Sequence, residues 1–328
     1  MQKADLNKWF WEYMVSPIGK GKFSHENENL LYFTGNENTP YHLANGETPI
    51  LIEGGVFDVN SIKNKEITTQ NPSYGDTTIL KNYVRRHILP KLSNDRQIKE
   101  RYNRLIGYFK GKEIKVLVIG AGQKSNYYKE IFGKFTLTSD IHLQYGVDLV
   151  LDAHSIPFEN ETFDLVLAQQ VLEHCMRPWE VSSEIQRVVK KDGYIQIEVP
   201  FCFPYHSAPY DFYRYTYSGI RSLFRNCKVQ KLMVPEGTFS AIAISISTAL
   251  IESSTKRVAR ILLLTIARIL LWPFKYLDIL ISRKLKNRMS MPKGFAITFL
   301  KDGIYREDSV LISEIKDEME MDLSLTES

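Results

Sequence analysis

Cysteine is scarce in this 328-residue chain, which contains only Cys175, Cys202 and Cys227. Their odd number excludes a fully paired disulfide framework, and their spacing does not match any common set of metal ligands. We therefore expect reduced thiols, no metal site and a cytoplasmic location.

The chain also lacks a large excess of positive or negative charge and a long apolar run. The 42 Lys and Arg residues barely outnumber the 38 Asp and Glu, giving a net charge of +4, and so small an excess does not suggest a nucleic-acid partner. The longest uncharged stretch of the most apolar region, 237–251, is shorter than the about 18 residues that a membrane-spanning helix needs. The N-terminus lacks the apolar core of a signal peptide. We expect neither a secreted nor a membrane-spanning protein.

What is present is an ordinary globular composition, with 44% hydrophobic and 24% charged residues. The length exceeds a typical domain of about 150 residues, so we expect a main domain with additions. The expected divisions are a small β-rich module over 1–75, a helical lead-in over 76–110, the main domain over 111–237 and 291–305, an apolar and basic helical insert over 238–290, and an acidic tail over 306–328 that is solvated and partly disordered.

Short apolar runs alternate with helical patterns through the main domain. Runs at 115–119, 135–140, 147–152, 163–168 and 194–199 predict buried strands. Between the last two, residues 179–191 have apolar side chains on one helical face, and Gly193 follows. Strands alternating with helices predict a doubly wound, mostly parallel α/β sheet.

Ligand-type residues follow three of these strands. Gly120 and Gly122 come directly after the first strand, where a side chain would block a ligand's approach to the backbone. Asp140 ends the second strand and could accept hydrogen bonds from ribose hydroxyls. Asp152 ends the third. Each feature alone could be a tight turn or a helix cap, but together they predict a ligand site at the carboxyl edge of the sheet.

Four segments resemble consecutive motifs of class I S-adenosylmethionine-dependent methyltransferases of the type 11-like kind. They are VLVIGAG at 116–122, SDI at 139–141, DAHSIPFENETFDLVLAQQVLEH at 152–174 and EIQRVVKKDGYIQIEVP at 184–200. The resemblance covers roughly 110–235 and implies a Rossmann-like sheet of seven strands, whose last two we place at 229–234 and 294–300. It also implies an enzyme with S-adenosylmethionine as its cofactor.

The resemblance assigns cofactor-binding roles to particular positions. Gly120 and Gly122 would face the methionine part, Asp140 the ribose, Asp152 and Ala153 the adenine, and Gln169 the border between cofactor and substrate.

Two positions depart from the family pattern, because Val118 replaces an acidic residue and Lys124 a glycine. A catalytically inactive binding or scaffold protein is therefore the alternative. A dinucleotide oxidoreductase fits less well, since its glycine motif would require glycine at Ser125.

The segment after the fifth strand, 200–216, is rich in proline and aromatic residues, which favours an ordered loop. His206 is the best candidate for a general base, Asp211 could orient it or replace it, and Tyr213 is a further catalytic candidate. His174 ranks second as a base. In the alternative interpretation Asp211 and Arg214 merely pair to hold the loop. The loop resembles that of bacterial methyltransferases encoded among cell-surface polysaccharide functions, a resemblance that identifies a subfamily but no acceptor. Our hypothesis is an O-methyl acceptor such as a saccharide or a lipid-linked intermediate.

The N-terminal module resembles a small zinc-ribbon-like module found with some methyltransferases. The places of its four zinc-binding cysteines are taken by Ser16, Gly19, Phe33 and Asn36, so we expect no zinc there. An unrelated β module remains an equal alternative.

The insert combines a broad apolar face with a basic edge, and Pro273 should kink it. Residues 256–288 are thus typical of a helix lying in an anionic membrane surface, on the inner face of the membrane. The alternative is packing on the protein core or on a second copy in a homodimer.

Overall fold

The computed structural model describes residues 9–17, 19–27, 30–34, 41–44, 48–52, 89–142, 147–281 and 284–320. Residues 76–88 of the predicted helical lead-in, the position of Asn36 and the end of the acidic tail lie outside these ranges. Within them, Ser16 and Phe33 are buried. The Ser16 hydroxyl lies 3.3 Å from the Tyr41 hydroxyl.

All eleven strands of the described residues belong to one sheet. They are β1 Phe23–Asn27, β2 Leu30–Phe33, β3 Tyr41–Ala44, β4 Thr48–Leu51, β5 Val116–Ile119, β6 Thr136–Asp140, β7 Leu149–Leu151, β8 Phe163–Gln169, β9 Val189–Pro200, β10 Lys228–Met233 and β11 Gly294–Leu300. Their order is β1-β2-β3-β4-β7-β6-β5-β8-β9-β11-β10. From β4 to β9 neighbouring strands are parallel, whereas β9, β11 and β10 pair antiparallel.

The predicted count of seven strands was wrong for the sheet as a whole. Strands β5 to β11 supply those seven, but β4 pairs in parallel with β7 through Ile50 opposite Val150 and Leu51 opposite Leu151. The four N-terminal strands therefore extend the main sheet. A strand edge presents unpaired backbone groups that another strand can satisfy, and the sequence pattern does not reveal which strand will do so.

Nine helices occur in the described residues. They are α1 Ile98–Gly107, α2 Ser125–Phe132, α3 Pro178–Val188, α4 Tyr217–Leu223, α5 Thr238–Glu252, α6 Arg257–Leu271, α7 Phe274–Leu277, α8 Leu285–Arg288 and α9 Asp308–Met319. Single 3-10 turns lie at Trp9–Tyr13, Gly122–Lys124, Leu172–His174 and Asp278–Leu280.

The two faces of the sheet are covered by different helices. In β5, Val116 and Val118 belong to a buried cluster with Tyr102 of α1 and Tyr128 of α2. The alternate β5 side chains, Leu117 and Ile119, belong to the large cluster that also holds side chains of α3 and α4. Because successive strand residues point to opposite faces, this partition confirms the doubly wound α/β architecture.

The predicted acidic tail is partly a packed helix. Glu314 and Glu318 of α9 pair with Arg221 of α4, and Glu314 also pairs with Arg306. The expectation of a solvated, partly disordered end was therefore wrong for residues 308–319. The charge pattern of the tail did not show that buried arginines elsewhere in the chain would meet it.

The insert between β10 and β11 holds α5 to α8. Helices α5 and α6 pack against each other, and α6 ends just before Trp272 and Pro273. The interruption at Pro273 was predicted. Within the described part of the chain, no helix combines the length and apolarity needed to span a membrane.

Candidate functional site

The glycine turn after β5 is the first element of the candidate site. Gly120 has φ +70° and Gly122 has φ +51°, a region that glycine adopts readily. A Cβ on Gly120 would lie 2.5 Å from Cγ2 of Val171. The amide of Gly122 donates to Oδ2 of Asp140 over 2.9 Å. The turn is thus held against the acid that ends β6.

Asp140 retains hydrogen-bonding capacity at the edge of the sheet. Its Oδ1 accepts from the amide of His142 over 2.9 Å, and the residue is only partly buried. Each carboxylate oxygen can accept a further hydrogen bond. The Asp140 carboxylate can accept hydrogen bonds from the ribose hydroxyls of S-adenosylmethionine, and the glycine turn leaves its backbone accessible to the methionine part. These residues therefore fit that cofactor.

Asp152 and Ala153 follow β7 at the same edge. The Asp152 carboxylate accepts from the amide of His154 over 2.9 Å and lies 2.6 Å from its Nδ1. Burial alone would raise the pKa of Asp152, but the hydrogen bonds and charge of His154 lower it below its usual range. Ala153 is buried. The carboxylate is ionised and fixed within its own turn.

Gln169, the remaining predicted cofactor residue, lies in a network of protein hydrogen bonds. Its Oε1 accepts from the hydroxyls of Tyr102 and Tyr128 over 2.9 and 2.7 Å. Its Nε2 donates to Oε1 of Glu198 over 2.8 Å. Two donors fill the acceptor capacity of the amide oxygen, so the structure leaves Gln169 only an N–H group for a ligand.

Beside this network lies a charged cluster that the sequence analysis missed. Arg101, which is 1% exposed, pairs with Asp95 over 2.5 Å and with Glu198 over 2.8 Å. Burial raises the pKa of Glu198, although the charge of Arg101 opposes this. Asp95 and Glu198 line a cavity together with Gln170, Glu236 and Lys293. The signal available in the sequence was an acid, Glu198, near the end of a predicted buried strand.

The loop 200–216 is held by a charge pair at its centre. Arg214 binds both carboxylate oxygens of Asp211, over 2.6 and 2.7 Å, and donates to the carbonyl oxygens of Phe203 and Pro204. Burial would raise the pKa of Asp211, but these hydrogen bonds lower it. Its carboxylate also accepts from the amide of His206 over 2.6 Å. The pair of Asp211 and Arg214, which the alternative interpretation expected, is therefore present. The Asp211 carboxylate also supports the part of the loop that carries His206.

Tyr213 is turned toward the protein backbone. Its hydroxyl donates to the carbonyl oxygen of Met176 over 3.0 Å, and its ring stacks on that of Tyr215. The structure thus places the Tyr213 hydroxyl in a contact that ties the loop to the segment following β8.

His206 and His174 come together although 32 positions separate them in the sequence. Their ring centroids lie 4.9 Å apart. His174 Nδ1 lies 2.5 Å from the carbonyl oxygen of Tyr210, and His206 Nδ1 lies 3.2 Å from that of Pro204. Burial lowers the pKa of His174. Both rings thus have a carbonyl oxygen near Nδ1, and Nδ1 of His206 also lies 3.3 Å from Nη2 of Arg214, which is a donor. A proton on Nδ1 of either ring leaves the lone pair on Nε2.

Glu173 is a further residue that the sequence analysis missed. Its side chain is fully buried, and neither carboxylate oxygen has a hydrogen-bond partner in the described residues. Burial raises its pKa to about 8. Oε1 lies 3.8 Å from Nε2 of His174. The signal in the sequence was an acid directly before a candidate histidine, just past a buried strand.

Comparisons with known proteins point to the class of enzyme. Residues 125–197 match the family model described as a methyltransferase domain. This match supports a methyltransferase enzyme whose cofactor is S-adenosylmethionine. No curated protein matches the chain significantly.

Two solved structures are similar at low identity. A SAM-dependent methyltransferase from Archaeoglobus fulgidus is 18% identical, with 69% of this chain and 100% of that one covered and a TM-score of 0.41. A phosphoethanolamine N-methyltransferase 2 from Haemonchus contortus, in complex with phosphomonomethylethanolamine and S-adenosylhomocysteine, is 15% identical, with 61% and 51% covered and a TM-score of 0.37. Such low TM-scores say nothing about the substrate of this chain.

Proposed function

We propose that this enzyme methylates a hydroxyl oxygen of a saccharide or of a lipid-linked intermediate at a membrane surface. Asp140 and the turn of Gly120 and Gly122 would hold S-adenosylmethionine. That cofactor supplies an electrophilic methyl group: the acceptor oxygen gains the methyl, the carbon–sulfur bond breaks, S-adenosylhomocysteine remains, and the hydroxyl proton must leave.

His206 is the residue that would take this proton. The observation that carries the proposal is its position, with Nδ1 beside the carbonyl oxygen of Pro204 and Asp211 3.2 Å away. With its proton on Nδ1, facing these two acceptors, the ring carries its lone pair on Nε2, which is the form a general base requires. Nη2 of Arg214 also lies 3.3 Å from Nδ1. Asp211 and Arg214 act as positioning residues, because their pairing fixes the loop that carries His206.

The surface around His206 supports a saccharide acceptor. Aromatic side chains stand exposed on the loop and on the neighbouring α3, at 65% for Tyr205, 42% for Tyr210, 39% for Phe212 and 53% for Trp179. Aromatic rings provide broad apolar faces with few rotatable bonds, onto which the C–H faces of a sugar ring can pack. An apolar wall with a few polar groups is the usual form of a small-molecule site.

The helical insert supports a lipid surface as the place of reaction. Its outward side chains are apolar and 50–76% exposed, and they comprise Val258, Leu262, Ile266, Ile269, Leu270, Ile279 and Leu280. The buried residue of α6, Ala267, lies on the opposite side of that helix. A patch of this kind on a protein surface marks an interaction site.

The charge of the insert favours an anionic bilayer as the partner. Residues 256–293 contain ten Lys or Arg residues and one acid, Asp278. Asp278 is engaged at the start of α5, where its carboxylate accepts from the amide of Phe239 over 2.8 Å and from the hydroxyl of Ser240 over 2.7 Å. The only negative charge of the segment is thus paired with a helix N-terminus. Lys286 and Lys293 pair with acids outside the segment, and the remaining excess of positive charge favours anionic lipid headgroups.

Calorimetry with S-adenosylmethionine tests the cofactor site first. We expect saturable binding by the full chain and at least ~10-fold weaker binding by Asp140→Ala, since the variant loses the acceptor for the ribose hydroxyls and the anchor of Gly122. Lys129→Ala, which removes an ion pair with Asp148 on the outer side of α2, is the matched control and should bind normally. Absence of binding by folded wild-type protein would contradict an active enzyme and favour the scaffold alternative.

Acceptor and surface are tested separately. Mass spectrometry of glycans and lipid-linked saccharides from cells with wild-type protein should show species heavier by one CH₂, which cells with His206→Gln lack.

In flotation, the protein should rise with vesicles of phosphatidylcholine and phosphatidylglycerol but much less with phosphatidylcholine alone. A variant with Val258→Ser, Leu262→Ser and Ile266→Ser should stay at the bottom. Equal flotation of variant and wild type would contradict the membrane proposal.

A further inference from the structure

A compact group of potential metal ligands lies at the acceptor end of the site. One ligand atom each from Glu173, His174 and His206 lies within 4.8 Å of the others. We propose that these three side chains bind a divalent transition-metal ion. Two imidazoles and one carboxylate are the ligand set of catalytic Zn²⁺ sites, in which the fourth position is left for water or substrate.

The buried carboxylate is the strongest reason for this inference. Glu173 is 0% exposed, and both of its oxygens lack a hydrogen-bond partner among the described residues. A buried carboxyl group without hydrogen-bond partners is destabilising in either protonation state, because its oxygens have given up their hydrogen bonds to water. The ordinary explanation, a structural ion pair, does not apply, because Arg214 directs its guanidinium to Asp211. A cation between Glu173 and the two histidines would satisfy the carboxylate.

The histidines are oriented as metal ligands usually are. A ligating histidine typically donates its other ring N–H to a carbonyl or carboxylate, which fixes the ring and its tautomer. His174 has the carbonyl oxygen of Tyr210 at 2.5 Å from Nδ1. His206 has the carbonyl oxygen of Pro204 and the Asp211 carboxylate each 3.2 Å from Nδ1, with Nη2 of Arg214 at 3.3 Å. Nε2 of each ring is then the ligand atom.

Backbone contacts hold the two ligand-bearing segments together. The carbonyl oxygen of Glu173 accepts from the amides of Phe212 and Tyr213, over 2.8 and 3.3 Å. Bonds to zinc are about 2.0 to 2.2 Å long, so ligand atoms within 4.8 Å of one another would close by about 1 Å on binding. Small rotations of the three side chains can supply this movement.

The ion would also have a role in the proposed methyl transfer, and this part of the inference rests on the proposed function. An acceptor hydroxyl bound in the open position would have a lowered pKa, and its proton would pass to solvent as the oxygen gains the methyl group. Nε2 of His206 would then coordinate the ion instead of accepting a proton. The expectation of no metal came from cysteine spacing and did not consider this nitrogen and oxygen set.

Metal binding can be measured without methyl transfer. The full chain, without an affinity tag and treated with EDTA, is titrated with Zn²⁺ by calorimetry and with Co²⁺ by visible absorption. We expect one equivalent to bind. Glu173→Gln and His206→Gln should each weaken binding ~100-fold or more, because loss even of an outer contact costs 10- to 100-fold. His154→Gln is the matched control, since His154 also lies beside an acid, Asp152, but outside the cluster.

Each result supports or overturns the proposal. One equivalent bound by wild type and by His154→Gln, with loss in the two ligand variants, would support it. No stoichiometric binding by folded wild-type protein would overturn it, as would unchanged affinity in Glu173→Gln and His206→Gln. Circular dichroism shows whether the variants are folded, and Glu173→Gln preserves the size of the side chain. Failure to bind S-adenosylmethionine while the metal still binds would contradict the proposed function alone.

Discussion

Replacement of Arg221 by methionine should destabilise the protein through its C-terminal helix. The guanidinium is fully buried. It pairs with Glu314 over 2.5 Å and with Glu318 over 3.4 Å, and it donates to the carbonyl oxygen of Phe224 over 3.0 Å. Methionine fills similar space but leaves Glu318 buried with only the Tyr217 hydroxyl as a partner.

The expected loss follows from that unpaired acid. Removing one partner of a buried ion pair costs about 3 to 5 kcal/mol. For 328 residues the unfolding entropy is about 0.7 kcal/mol/K, so Tm should fall by about 4 to 7 °C. Glu314 contributes less to the loss, because Arg306 still pairs with it over 2.6 Å.

Thermal and urea unfolding, followed by circular dichroism, measure this loss. Arg225→Met is the matched control: Arg225 pairs with Asp308 of the same helix over 2.7 Å, but that carboxylate is 80% exposed. An exposed pair contributes about 1 kcal/mol or less. The double variant Arg221→Met, Glu318→Gln should recover part of the loss, since no unpaired acid remains. Equal losses for Arg221→Met and Arg225→Met would refute the reasoning.

Three further perturbations have defined outcomes. Gly120→Ala should lower stability by about 1 to 3 kcal/mol and weaken cofactor binding, because of its positive φ and the contact with Val171, as unfolding and calorimetry would show. Asp278→Ala should cost about 0.5 to 2 kcal/mol in unfolding experiments by removing the cap of α5. Burial alone would raise the pKa of Asp302, but hydrogen bonds from Arg306 lower it below 3.8. Its stabilisation is therefore complete above pH 3.8 and is lost as the pH falls, so Asp302→Asn should differ from wild type at pH 6 and converge with it in acid.

The strands of the central sheet could be predicted because burial on both faces leaves a continuous apolar run. The run predicted at 163–168 became Phe163–Gln169, and that at 294–300 coincides with Gly294–Leu300. Pairing of β4 with β7 could not be predicted, because it depends on which distant strand reaches a free edge. The packing of α9 on Arg221 is likewise a contact between residues about 90 positions apart.

The same distinction holds for the candidate site. Motif order pointed to Asp140 and the glycine turn, which the structure joins by a hydrogen bond. The candidate bases could be chosen from the sequence by residue type, but their arrangement in space could not be predicted. Glu173 was missed because an isolated acid in a sequence gives no sign of being buried without a partner.

The loop and the segment after β8 form one hydrogen-bonded unit, and this makes the cluster independent of the C-terminal helix. The amide of Tyr215 donates to the carbonyl oxygen of Pro200 over 3.0 Å, which closes the loop at its base. The Tyr215 hydroxyl donates to the carbonyl oxygen of Leu172 over 2.9 Å. The loop thus meets Leu172 and Glu173 through bonds that involve neither α4 nor α9. Loss of Arg221 should therefore lower stability while leaving the affinity of the folded protein for Co²⁺ unchanged.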